Sequence, residues 1–201
     1  KKEITPITIP VKKGEPKVFD TDEIPLRPPR TSLEALGKLA PAFKKGGMVT
    51  AGNASKISDG ASALVVMSRD KAKALGCKPL VRVGAQGACG VDMKYVLIAP
   101  IYSIPKVLAK AGLKIEDVDL HEINEAFSAS SAAINKVLNL DPEKVNVNGG
   151  SVALGHPIGA SGARVLTTLI YAMKDRGAEI GEASLCLGGG EAVTLVVYNE
   201  E

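Results

Sequence analysis

Residues 146–162 read NVNGGSVALGHPIGASG, and this stretch carries the strongest indication of how the chain folds and where its chemistry lies. Five glycines in seventeen residues allow one backbone to approach another closely. A single histidine, His156, lies among them, shortly before a predicted helix. Because imidazole exchanges a proton near neutral pH, His156 is the natural general base of the chain. A phosphate cradle is the weaker alternative, since the glycine spacing fits neither a P-loop nor a dinucleotide fingerprint.

Strands and helices are predicted to alternate on both sides of this stretch. The predicted strands are 61–68, 80–88, 118–123, 145–148, 184–187 and 192–198. The predicted helices are 32–43, 69–75, 104–111, 126–138 and 160–176. Val81, Val83 and Ala85 alternate and are expected on one face of their strand. Three glycines at 188–190 predict a closing hairpin, so the pattern indicates an α/β domain with a mixed sheet and helices on both faces.

Two further loops follow predicted strands, where open α/β sheets place their ligands. Asn124, in HEINEAF at 121–127, either caps a helix, which is its commoner role, or holds a water or an oxyanion with its amide. Cys186 opens CLGGG at 186–190. A cysteine at a strand end is usually inert, but N–H groups freed by glycines could turn this thiol into a thiolate for acid–base work. His121 is expected to be structural.

Composition excludes several classes of function. The chain has 201 residues, a net charge of +3 and 3% aromatic residues. It has no run of five or more like charges, so it lacks the basic stretch that is typical of a nucleic-acid-binding protein. No apolar run reaches the length of a membrane span. Cys77, Cys89 and Cys186 form no C-x-x-C pair and lie at no metal-ligand spacing to the histidines, so we expect no metal and a reducing, cytoplasmic compartment. Cys77 and Cys89 are interpreted as structural.

Four motifs together resemble a known family. NEAF at 124–127, the whole 146–162 stretch, CLGGG at 186–190 and TAGNAS at 50–55 occur in the order seen in the C-terminal half of a thiolase, an acyl-CoA C-acetyltransferase. The resemblance implies a layered fold that is the second half of a two-domain αβαβα architecture. It implies three parts: 1–56 as a remnant of the loop domain, 57–76 as the last strand and helix of the N-terminal domain, and 77–201 as the C-terminal domain.

The resemblance also implies roles for individual residues. His156 resembles the base that activates the nucleophilic cysteine and helps bind the thioester oxygen, and Cys186 resembles the cysteine that exchanges the α proton. Asn124 resembles the residue that holds a water in the first oxyanion hole, and the N–H of Gly188 resembles a donor of the second. The residues implied in coenzyme A binding are Ser55, Ala51, Phe127, Arg27 and Arg30.

The activity implied is acyl transfer between acetyl-CoA units, giving acetoacetyl-CoA, or the reverse thiolysis of a 3-ketoacyl-CoA. Coenzyme A thioesters are then substrates, and no covalently bound cofactor is implied. Nothing here resembles the family's nucleophilic cysteine, because Cys89 falls in a predicted strand of the C-terminal domain. We therefore expect an N-terminal half as another chain or a preceding segment, in keeping with a start that lacks Met, and complete units that form dimers or tetramers.

Two alternative functions remain, and one stretch of the sequence differs from the family pattern. A non-catalytic coenzyme A-binding or scaffold subunit of a thiolase-like complex is the main alternative. A condensing enzyme of the ketoacyl-synthase type is disfavoured, because such proteins typically have a second histidine where Cys186 stands. The stretch KYVLIAP at 94–100 replaces a glycine-containing stretch of many thiolases, so the acyl pocket is expected to differ in shape.

Overall fold

A computed structural model describes residues 2–25 and 31–200, and a four-stranded mixed sheet forms its centre. The strands are β1 (Ile7–Ile9), β2 (Lys17–Phe19), β3 (Val81–Gly90), β4 (Leu120–Ile123), β5 (Ile180–Leu187) and β6 (Glu191–Asn199). The central sheet has the order β3-β6-β5-β4, with β4 parallel to β5 and the other pairs antiparallel. β1 and β2 form a separate, exposed ribbon. Arg27 and Arg30 lie outside the described residues.

Helices cover both faces of the central sheet. The helices are α1 (Leu33–Gly37), α2 (Arg69–Ala74), α3 (Pro100–Ala111), α4 (Ser128–Leu138), α5 (Ser151–Leu154) and α6 (Ser161–Arg176). Ile104 of α3 and Ile134 of α4 pack with Val196 in one apolar cluster. Leu169 of α6 packs with Val197 in a second cluster on the opposite face. The predicted α/β architecture is therefore confirmed.

Local sequence determines where the two long sheet-packing helices begin and end. Pro100 stands at the first turn of α3, where its missing N–H costs no helical hydrogen bond. Gly112 and Gly177 end α3 and α6 in the left-handed conformation, at φ 72° and 63°. The predicted stops at these two glycines are confirmed.

One residue inserted in β3 changes which side chains share a face. The register with β6 shifts between Val83 and Gln86, which is the signature of a β-bulge. As a result, Val81 packs against the cluster of α6 and Ala85 against the cluster of α3. The expectation that Val81, Val83 and Ala85 lie on one face is wrong, because a bulge reverses the alternation beyond it.

The predicted strand at 61–68 does not form. The segment has no regular secondary structure and pairs with no strand among the described residues, and Val65 and Val66 are 86% and 75% exposed. A strand needs a neighbour to satisfy its N–H and C=O groups, and apolar residues alone do not supply one. The helix predicted after it is present as α2.

Two other predicted elements also differ. The stretch 145–148 is a turn with one isolated bridge between Val145 and His121, because Asn146 adopts a φ of 47°, which no strand permits. The helix predicted at 32–43 starts as expected, with the Ser32 side chain accepting from the N–H of Ala35, but it ends at Gly37.

Replacement of Gly190 by Ala should destabilise the hairpin between β5 and β6. Gly190 has a φ of 91°, and a Cβ there would lie 2.6 Å from the carbonyl oxygen of Val91. We expect Gly190→Ala to lower the free energy of unfolding by about 1–3 kcal/mol, as measured by urea denaturation. Gly189→Ala, where a Cβ meets only ordinary contacts, is the matched control. Equal stability of the two variants would contradict this account of the turn.

Candidate active site

The segment 51–58 joins two of the loops that the sequence singled out. The N–H of Ser55 donates to the carbonyl of Ala126 over 3.1 Å, beside the first loop. The N–H of His156 donates to the carbonyl of Lys56 over 2.9 Å, in the glycine-rich loop. Ser55 and His156, separated by about half of the chain, are thus held by one short stretch of backbone.

Phe127 lies at the same junction. Its backbone forms an isolated antiparallel bridge with Ala54, and its ring contacts that of Phe43 edge to face at 6.1 Å between centroids. Ala51 is exposed, and its carbonyl accepts from the ammonium group of Lys56 over 2.5 Å. Ser55 and Phe127 therefore line one junction, whereas Ala51 faces solvent.

Asn124 follows directly on β4 and is buried. Its N–H donates to the carbonyl of Ser184 over 2.9 Å, which continues the parallel pairing of β4 with β5. Its side-chain oxygen Oδ1 accepts from the hydroxyl of Ser151 over 2.8 Å. The helix-cap alternative is wrong, because α4 begins at Ser128 with Phe127 at its N-cap. Asn124 thus lies at the carboxyl end of β4.

Asn146 holds the glycine-rich loop against β4, a role that sequence reasoning missed. Its side-chain Oδ1 accepts from the N–H of Ile123, and its Nδ2 donates to the carbonyl of Ile123, both over 2.8 Å. Its own N–H donates to the carbonyl of His121 over 2.8 Å. The side-chain amide pairs with the strand as a neighbouring backbone would, and the left-handed φ of Asn146 turns the loop away from the strand direction.

Two glycines are required for the close approach of the loops. A Cβ on Gly150 would lie 2.3 Å from Oε2 of Glu125, the same oxygen that accepts from the N–H of Val152 over 3.1 Å. A Cβ on Gly155, at φ 99°, would lie 2.5 Å from the hydroxyl of Ser58. These contacts explain why the sequence is rich in glycine here.

His156 is held by its Nδ1 atom, which lies 2.7 Å from the hydroxyl of Ser161. The Ser161 hydroxyl also lies 3.0 Å from the carbonyl of Pro157, which can only accept. Both bonds form together only when the imidazole carries its hydrogen on Nδ1, which leaves a lone pair on Nε2. Partial burial, helped by the positive charge of Arg164, holds the pKa of His156 below its usual value. Neutral His156 is thus suited to accept a proton.

Cys186 lies at the carboxyl end of β5, two residues after Ser184, which bonds Asn124. Burial raises the pKa of the Cys186 thiol, and a backbone hydrogen bond opposes this only in part. These surroundings within the chain favour the thiol form over the thiolate that the sequence suggests, and the acid–base role of Cys186 stays a prediction. Gly188 follows in the turn and is exposed. Within 2–25 and 31–200, no hydrogen bond directly joins the side chains of Cys186 and His156.

The other two cysteines lie outside this arrangement. The thiol of Cys89 donates to the carbonyl of Ala99 over 3.3 Å, and Cys77 is exposed beyond α2. The structure shows neither of them hydrogen-bonded to a candidate site residue. Their interpretation as structural residues stays a prediction.

Buried charges under the site were also missed by sequence reasoning. Glu122 accepts from Arg164 over 3.3 Å, and burial raises the pKa of Glu122 to about 7 although Arg164 acts against the shift. His121 and Glu182 form a second buried pair at 3.0 Å, and burial raises the pKa of Glu182. His121 is therefore a structural residue in a polar interior.

Two negative findings concern the described residues. Over 2–25 and 31–200, no group of three or more His, Cys, Asp or Glu side chains is placed to hold a metal ion. No helix in this described part is long and apolar enough to cross a membrane.

The fold and the candidate site define a class of protein: an α/β domain in which Asn124 and Cys186 lie at the carboxyl ends of the neighbouring parallel strands β4 and β5. The model of the family domain "Thiolase, C-terminal domain" matches residues 77–199, and that of "Thiolase, N-terminal domain" matches residues 1–70. The chain belongs to the thiolase family.

Known proteins show the same likeness over nearly the whole chain. An acetyl-CoA acetyltransferase of Allochromatium vinosum is 54% identical, over 97% of this chain and 49% of its own length. The crystal structure of the Bacillus anthracis acetyl-CoA acetyltransferase is 49% identical with a TM-score of 0.92, over 98% of this chain and 49% of that one. Human mitochondrial 3-ketoacyl-CoA thiolase in complex with CoA is 37% identical with a TM-score of 0.83, over 92% and 46%. The chain spans about half the length of these relatives.

The buried carboxyl of Glu122 should make stability depend on pH. Its pKa is about 7 in the folded chain and 4.5 as the ordinary value, so the folded state binds more protons between these two pH values. The stabilisation is full below the ordinary pKa and is lost as the pH rises through about 7. We expect the free energy of unfolding of the natural chain, relative to Glu122→Gln, to fall by about 3 kcal/mol across this window.

Urea denaturation followed by circular dichroism at a series of pH values measures this difference. Glu116→Gln is the matched control at an exposed position. A difference between the natural chain and Glu122→Gln that does not change with pH would contradict the prediction.

Proposed function

We propose that this chain is the C-terminal portion of a thiolase, which joins two acetyl-CoA units into acetoacetyl-CoA or cleaves a 3-ketoacyl-CoA in the reverse direction. The observation that carries the proposal is the junction of loops at one sheet edge. There, the imidazole of His156 has a free Nε2 atom, and Ser151 holds the amide of Asn124. The segment 51–58 and the ends of β4 and β5 connect the two side chains. The CoA complex of the human relative supports a coenzyme A thioester as the substrate.

The chemistry divides into steps that these residues can serve. In thiolysis, Nε2 of His156 takes the proton of a cysteine thiol of the N-terminal half, the resulting thiolate attacks the 3-keto carbon, and the bond between carbons 2 and 3 breaks. The electron pair left on carbon 2 takes a proton from the Cys186 thiol, which gives acetyl-CoA. The thiol of a second CoA gives its proton to the Cys186 thiolate and takes the acyl group from the cysteine, whose sulfur leaves and recovers its proton from His156. Donors from Asn124 and the N–H of Gly188 stabilise the oxyanions.

The protonation states in this chain favour these roles. The raised pKa of Cys186 keeps a proton on its sulfur at neutral pH, as the donor of thiolysis requires. The lowered pKa of His156 keeps its imidazole neutral, as a base requires. In the condensation direction the same two groups act in reverse, and Cys186 then receives the α proton.

The partner that supplies the nucleophile is an N-terminal thiolase half, present as another chain or as a preceding segment. The segment 61–68 supports this, because its backbone lacks strand partners among the described residues and Val65 and Val66 expose their side chains. A strand from the N-terminal half would pair with this backbone and cover the two valine side chains. Complete units are proposed to form dimers or tetramers in the cytoplasm, where the three free thiols stay reduced.

Co-expression with an N-terminal half tests the catalytic assignment. The half is the part of the Allochromatium vinosum relative that this chain does not span, and the readout is loss of acetoacetyl-CoA absorbance with added CoA. We expect activity in the natural assembly and a loss of about 10²–10⁴-fold in kcat for His156→Ala and for Cys186→Ser. Cys77→Ser, at an exposed thiol away from the site, is the matched control and should retain activity.

Two results would overturn the assignment. Full activity in both His156→Ala and Cys186→Ser would exclude these residues as the acid–base pair. An assembly that binds CoA in calorimetry without any turnover would instead show the non-catalytic coenzyme A-binding or scaffold subunit.

A charge in the exposed segment should prevent assembly. Val65→Asp would bury an unpaired carboxylate if 61–68 becomes a strand of a shared sheet. We expect its affinity for a tagged N-terminal half to fall about tenfold or more in a pull-down titration. Val137→Asp, at an exposed valine of α4, is the matched control and should bind as the natural chain does. Equal affinity of the two variants would contradict the proposed pairing.

A further inference from the structure

Arg164 lies in the first turns of α6 and contacts polar groups on two sides. Its Nη1 atom lies 3.3 Å from Oε1 of Glu122 on β4, and its Nη2 atom lies 3.4 Å from the hydroxyl of Ser151 at the start of α5. Glu122 is 2% exposed and Ser151 is fully buried. The Ser151 hydroxyl lies 2.8 Å from Oδ1 of Asn124. A continuous chain of contacts therefore runs from a buried carboxyl to a candidate site residue.

The directions of the hydrogen bonds between Arg164, Ser151 and Asn124 follow from which of their groups can donate. A guanidinium can only donate, so the Ser151 oxygen accepts from Arg164. The one hydrogen of the Ser151 hydroxyl goes to Oδ1 of Asn124 over 2.8 Å, so this side chain presents its oxygen to Ser151. The two ends of an amide are otherwise nearly equivalent in shape, and hydrogen bonds decide which way it points. Asn124 consequently turns its Nδ2 donors away from Ser151.

We propose that Arg164, anchored by Glu122, is a positioning residue that acts through Ser151 to hold the Asn124 amide with its NH₂ group toward the water of the first oxyanion hole. This inference rests on the proposed function and adds to it the residues that orient the amide. In this arrangement Asn124 is a hydrogen-bond donor in every state of the site, which is what a developing oxyanion requires.

The surroundings of the pair argue against a purely stabilising role. A buried ion pair contributes little net stability compared with apolar residues of the same size. The carboxylate also fixes the rotamer of Arg164, whose side chain is 19% exposed, so its second nitrogen reaches Ser151. Because α6 begins at Ser161, which holds His156, the same end of one helix supports both candidate site residues.

Kinetics of the assembly with an N-terminal half test the proposal. We expect Ser151→Ala and Arg164→Gln each to lower kcat about tenfold to a hundredfold, with little change in KM, because an unrestrained amide stabilises the oxyanion less well. In an Asn124→Ala background, Ser151→Ala should have almost no further effect, since the amide that it positions is absent. Arg164→Lys, which keeps a charged donor, should recover part of the lost rate. Arg176→Gln, at an exposed arginine near the end of α6, is the matched control.

The outcomes distinguish this inference from the function on which it rests. If the natural assembly is active but the effects of Ser151→Ala and Asn124→Ala multiply as independent losses, the positioning role is wrong and the proposed function stands. If the natural assembly is inactive, the proposed function is wrong, and NMR of this chain still tests the contacts. The Asn124 side-chain amide signals should shift in Ser151→Ala and Arg164→Gln and stay in place in Arg176→Gln, and unchanged signals in all three variants would overturn the proposal.

Discussion

The candidate site depends on how the free side of β4 is satisfied. β4 pairs in parallel with β5 on one side, and no described strand lies on the other, so its N–H and C=O groups need another partner. Asn146 supplies one through its side-chain amide, which bonds both backbone groups of Ile123. This interaction fixes the start of the glycine-rich loop against the end of β4, and His156 lies further along the same loop.

Close packing of backbone then completes the arrangement. Gly150 lets the loop approach Glu125, and Gly155 lets it approach Ser58, at distances that a side chain would block. The hydrogen bond from Ser55 to Ala126 and the hydrogen bond from His156 to Lys56 hold the segment 51–58 in place. The polar groups of the site thus rest largely on backbone contacts, which agrees with a chain that has few aromatic residues.

Charge in the interior gives the site its protonation states. Desolvation acts on Cys186 and His156 in opposite senses, since it disfavours the charged form of each: it raises the pKa of the thiol and lowers the pKa of the imidazole. Arg164 adds to the effect on His156, while Glu122 holds Arg164 beneath the site. The two pKa shifts thus arise from burial and from one cation, and contact between β4 and α6 holds that cation in place.

The sequence by itself determined those features that depend on neighbouring residues. Gly112 and Gly177 ended their helices, the three glycines after Leu187 closed the hairpin, and the motifs around Asn124, His156 and Cys186 indicated the family. Local conformation follows from residues a few positions apart, and for this reason a sequence pattern can predict it.

Only the tertiary structure decided the rest. It showed that Asn124 bonds Ser151 instead of capping a helix, that burial raises the pKa of the Cys186 thiol, that a bulge divides β3 between two faces, and that no strand among the described residues pairs with 61–68. Each of these depends on groups distant in the chain: a hydroxyl from another loop, the depth of burial, the register of a partner strand, or the presence of a neighbour. Hydrogen bonds and desolvation depend on groups that are close in space but distant in the sequence, so a local sequence pattern does not predict them.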